Sequence, residues 1–121
     1  MAEVNLTGFG YVQSEAVSAA TKTLDFGDCG VVQNVTVDST VTLPATSAKY
    51  GFILRIGADN VTLNISPNAL DKIWGNGANG GTDNKDLIFT DQPIGSWVEL
   101  AGDGTDGYRV VRVHGTATFE S

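Results

Sequence analysis

Residues 41–65 read VTLPATSAKYGFILRIGADNVTLNI, and this stretch decides the fold class. Phe52, Leu54 and Ile56 alternate with Ile53 and Arg55. After four turn-forming residues, Val61, Leu63 and Ile65 alternate with Thr62 and Asn64. Period-two alternation of this kind puts successive side chains on opposite faces of a strand. Pro44 ends the preceding strand, because proline offers no N–H to a ladder. The link at residues 57–60, with Gly57 and Asn60 able to take a positive φ, predicts a tight hairpin spanning residues 50–65.

The same pattern continues on both sides. Residues 22–26 (KTLDF) and 31–37 (VVQNVTV) read as strands, with Leu24 and Phe26 sharing one face and Val31, Val35 and Val37 turned inward. Residues 87–89, 96–100 and 108–113 add further strands, separated by turns at 92–95 and 103–107. In SWVEL, Trp97 lies opposite Val98 and Leu100, so one of these two faces is core. Residues 69–74 fit a helical turn or a short strand around Ile73, and residues 114–121 read as a polar tail. SEAVSAAT, residues 14–21, reads as one short helix capped by Ser14. Residues 75–84, rich in Gly and Asn, form a loop long enough to suggest function or mobility. About eight short strands with frequent turns predict an all-β, jelly-roll-like antiparallel β-sandwich. An N-terminal arm (1–13) would precede a single β domain (14–121).

Charge narrows the partners. Fourteen acidic residues against seven basic ones give a net charge of −7. The basic residues are scattered along the sequence, so nucleic acid and anionic membranes are disfavoured partners. No apolar run approaches the length of a membrane span, and residues 1–10 lack a signal-peptide pattern. A single cysteine, Cys29, excludes an intrachain disulfide and fits a small buried hydrophobe. The sequons at Asn5, Asn34, Asn60 and Asn64 read as polar faces of strands.

The chemistry-bearing residues form no catalytic pattern. Asp103 and Asp106 in DGTDG make the best cation candidate, yet their spacing misses the EF-hand loop and suits a β-turn. GNGANGGTDN, residues 75–84, is one imperfect copy of a glycine–aspartate repeat that binds calcium only when stacked. His114 is the sole histidine and has no nucleophile beside it. The expectation is a protein that is not an enzyme and holds no metal or cofactor. Trp74 and Trp97 are the candidates for stacking on a sugar ring or a partner. Phe9, Tyr11 and Val12 lie in the glycine-flanked arm and would pack on a partner surface.

Five segments carry a resemblance: TVTLPAT, KYGFILRI, DNVTLNI, DKIWG and SWVELAGDGTDGYRV, within residues 41–113. Together they resemble small β-domains of tailed-phage structural proteins, which occur as head decoration (cement) proteins and in tail fibres and spikes. The resemblance implies a capsid decoration protein, made in the host cytoplasm and placed on the phage head surface. It would be a homotrimer contacting the major capsid protein through Phe9, Tyr11, Val12 and Trp74. A short chain without a fibre shaft favours the head over a fibre. The alternative is a carbohydrate- or receptor-binding module of a tail fibre or spike, with Trp74, Tyr50 or Tyr108 as stacking platforms.

Overall fold

A computed structural model of the chain describes residues 13–75 and 82–120. Among the described residues eleven strands run in chain order: β1 (Gln13–Val17), β2 (Thr21–Thr23), β3 (Val31–Val35), β4 (Ser39–Thr42), β5 (Gly51–Ile56), β6 (Val61–Ser66), β7 (Lys72–Trp74), β8 (Leu87–Gln92), β9 (Trp97–Gly102), β10 (Gly107–His114) and β11 (Thr118–Phe119). They form two sheets, ordered β1-β3-β5-β9-β10-β7 and β11-β8-β6-β4-β2. The inner faces of these sheets supply one core. Val35, Leu54, Ile56, Val98, Leu100 and Tyr108 come from the first sheet, and Val41, Leu63, Ile65, Leu87 and Phe89 from the second. The protein is an all-β, two-layer structure.

The path of the chain departs from a jelly roll. From β1 to β6 successive strands alternate between the sheets, and each lies parallel to the strand two before it. Gln13 pairs with Val31 and Val32 with Ile53 in one sheet, while Thr21 pairs with Thr40 and Ser39 with Leu63 in the other. Residues 13–66 therefore form a coil of three flattened turns stacked along its axis. β9 and β8 then add antiparallel to β5 and β6, and they close the stack. β10 runs antiparallel to β9, and β7 runs parallel to β10.

Several expectations are corrected by this topology. The sandwich is not uniformly antiparallel, because the turn-by-turn path makes parallel ladders wherever β1 to β6 pair. Residues 57–60 are a corner between sheets and not a hairpin, so β5 and β6 do not pair with each other. Asn60 does take a positive φ of 62°. Gly57 serves a different need, since a Cβ there would stand 2.5 Å from Asn34 Nδ2 in the turn below. Residues 14–21 are not helical: Gln13–Val17 is the edge strand β1, whose backbone finds partners in β3. Phe26 leaves the strand pattern for a short 3-10 turn (Phe26–Asp28) capped by Asp25, and it is exposed while Leu24 is buried. Val37 is likewise exposed, and the buried position between Val31 and Val35 is Gln33. The C-terminal tail contributes β11, which pairs with β8.

Candidate binding surfaces

The outward face of the six-stranded sheet brings together residues that are far apart in sequence. One row across the strands reads Asn34, Arg55, Trp97, His114, and the next reads Val32, Ile53, Glu99, Arg112. A β-bulge between Val110 and Arg112 keeps Arg112 and His114 on this outer face while Val110 points into the core. At the far edge, Arg109 stands opposite Trp74 in the β10–β7 pair. All three arginines of the chain, its only histidine and both tryptophans thus share one face. Alternation explains the placement of four of them: Arg55, Trp97, Arg109 and Trp74 neighbour the buried Leu54, Val98, Tyr108 and Ile73.

The geometry of the face is specific. The Trp97 and His114 rings stack, with centroids 6.2 Å apart and planes inclined by 20°. Arg112 Nη2 and Nε donate to Glu99 Oε1 at 2.8 and 3.1 Å. Arg55 Nη1 reaches Asn34 Oδ1 at 3.5 Å. Among the described residues Glu99 is the one carboxylate at an outward strand position of this sheet. The three arginines, scattered in the sequence, are therefore concentrated by register, which sequence reasoning missed. The detectable signal was the outward phase of Arg55, Trp97 and Arg109 in their strands.

Trp74, Asp103 and Asp106 converge at the rim of the same sheet. Trp74 Nε1 donates to Asp103 Oδ2 at 3.3 Å. Asp103 Oδ1 accepts the backbone N–H groups of Thr105, Asp106 and Gly107 at 2.8, 2.8 and 3.0 Å. Burial opposes ionisation of Asp103, but these amides and the Trp74 indole outweigh it and hold its carboxyl down at about 2. Thr46 binds this loop to the β4–β5 connection: its hydroxyl donates to Gly107 O at 2.6 Å and accepts from Gly104 N at 3.0 Å. Thr46 N in turn donates to the buried Asp71 carboxylate at 2.9 Å. Asp103 Oδ1 is thus occupied by its own turn and Oδ2 by the Trp74 indole. Among the described residues no group of three or more His, Cys, Asp or Glu gathers to hold a metal.

A second surface lies at the start of the coil. β1 and β2 are the edge strands of the two sheets, and both belong to the first turn. The inward positions of that turn are partly polar: Lys22 pairs with Glu15 and lies 3.8 Å from Asp28 Oδ1. Hydrogen bonds from Lys22 first, then Gln33, hold the Glu15 carboxyl below its ordinary range. Gln33 beneath is fully buried, and its Oε1 has no partner among the described residues. Phe9, Tyr11 and Val12, expected at a partner contact, lie outside the described residues, immediately before β1. Of the other stacking candidates, Tyr108 is fully buried and its hydroxyl donates to Pro44 O at 3.0 Å, so it offers no platform. Tyr50 is half-buried between Phe26 and Phe52.

Comparison with protein families, with characterised proteins and with solved structures finds no match. Among the described residues no helix is long and apolar enough to cross a membrane.

Proposed function

We propose that this protein is a capsid decoration (cement) protein, a non-catalytic β module that binds the outer surface of a phage head and stabilises the shell. The observation that carries the reading is the first turn of the coil, which no other described strand covers. Two edge strands end there side by side, in β1 and β2, and Phe9, Tyr11 and Val12 directly precede β1. Sheet edges present unpaired backbone groups to another chain, and aromatic anchors dominate the interfaces they enter. The major capsid protein is the partner, and homotrimers multiply a modest site through effective concentration. Trp74 belongs to the opposite edge of the sheet, so it sits away from this contact.

The test is co-sedimentation of the purified chain with heads of its own phage that lack it. Saturable binding, with heads that then resist heating better, supports the reading. Heads that bind none of it at micromolar protein reject it. A second reading is the receptor-binding module of a tail fibre or spike. The stacked Trp97–His114 pair on an exposed face favours it, because such rings suit sugars.

A further inference from the structure

The outer face of the six-stranded sheet has a charge opposite to that of the rest of the molecule. Arg55, Arg109 and Arg112 are exposed there with His114, and Glu99 is the carboxylate among them. The whole chain nevertheless carries −7. An acidic protein without a use for this face would gain nothing by placing every arginine on it. Arg112 is engaged by Glu99, while Arg55 and Arg109 present planar donor forks that match carboxylates in a bidentate manner.

We propose that this face is a binding site for a uronic-acid glycan. The aromatic pair Trp97–His114 supplies an apolar platform for a sugar ring, flanked by Arg55 on one side and by Arg112 two residues along β10. Adjacent strands lie ~4.8 Å apart, so Arg55 and His114 stand about 10 Å from each other across the sheet. The ladder thus sets cationic and aromatic groups on a spacing that a linear chain of sugars and carboxylates can follow. Arg109 opposite Trp74 repeats the cation-beside-indole pairing at the far edge. A nucleic acid strand could use the same groups, but its affinity comes from many phosphate contacts, and this face offers three arginines in a molecule of net charge −7. A uronate carries its carboxylate on the sugar ring itself, so one ring can meet the indole face and an arginine fork together. This site is separate from the first turn, and it stands whether the chain sits on a head or on a tail.

The experiment titrates the full-length protein with oligogalacturonate, with neutral maltohexaose and with oligo-dT, reading intrinsic tryptophan fluorescence and calorimetry. The expected result is saturable oligogalacturonate binding that perturbs Trp97 emission, weakens with added salt, and exceeds maltohexaose binding at least tenfold. Arg55→Glu/Arg112→Glu should reduce it at least tenfold while thermal melting and head binding stay as in the parent. Trp97→Phe, which keeps an aromatic ring, should reduce it less than the double charge reversal. Absence of oligogalacturonate binding, equal binding by the double variant, or tighter binding of oligo-dT would each overturn the proposal.

Discussion

Trp97 and His114 face each other across β9 and β10 with their rings stacked, and they do so on the solvent side of the sheet. Val98 and Leu100, the residues that alternate with Trp97 along β9, are completely buried. The indole is therefore a surface group on a rigid strand and not a core filler. Trp97→Ala should cost about 1–2 kcal/mol, the scale of an aromatic pair plus partial burial. Leu100→Ala should cost about 2–5 kcal/mol, as for a buried leucine. Urea denaturation of both variants checks this, and equal losses would place Trp97 in the core.

Gly107 makes the closest approach to a neighbouring backbone among the described glycines. A Cβ added there would lie 1.9 Å from Lys72 O, and its φ is +148°. The obstacle is the backbone of the paired strand β7, which cannot swing aside as a side chain can. Gly107→Ala should destabilise the protein by at least about 3 kcal/mol, beyond ordinary overpacking. The three atoms nearest a Cβ at Gly57 all belong to the side chain of Asn34. Gly57→Ala should cost about 1 kcal/mol, and Asn34→Ala should restore most of that in a double-mutant cycle. A Gly57 cost that Asn34→Ala does not relieve would contradict the stacking of the second and third turns.

Asp103 sets a pH dependence. Its folded carboxyl titrates at about 2 against an ordinary 3.8. A depressed folded pKa contributes stability that is complete above the unfolded value and is lost as pH falls through the folded one. Asp103→Asn should thus lower the melting temperature at neutral pH. The gap between the two proteins should close from about pH 4 down to pH 2. A constant difference between the two melting curves across that interval would mean that the charge of Asp103 does not support the turn.

Light scattering should give three times the 12.7 kDa mass of one chain. Exposed Phe26, Leu70 and Ile94 offer apolar surface that contact between copies would cover. A monomer both in solution and on the particle would exclude the trimer.

Alternation made the layers legible in the sequence but not their connection. Phe52, Leu54, Ile56, Val61, Leu63 and Ile65 are all buried, as their period-two spacing predicts. The same spacing fits a hairpin and a sheet-to-sheet corner equally, because residues 57–60 are short enough for either. What separates the two is the partner two strands earlier, and the turns of this coil share a pattern without sharing residues. Asn34 under Gly57 is such a relation, invisible until the turns are stacked. Gln33 shows a further limit: a polar residue in an inward register position reads as a surface residue from sequence. Trp97 and Trp74 were visible as candidates by residue type. Arg55, Arg109 and Arg112 were not, because only the register of β5, β9, β10 and β7 makes them neighbours.

Electron cryomicroscopy of heads carrying this protein tests the central claim most directly, because it shows which surface meets the shell. The account predicts trimers seated through the first turn, with β1 and β2 toward the major capsid protein. The face bearing Trp97, His114 and Arg55 should then be open to solvent. Heads without density for the protein, or trimers seated on the Trp97–His114 face, would contradict it.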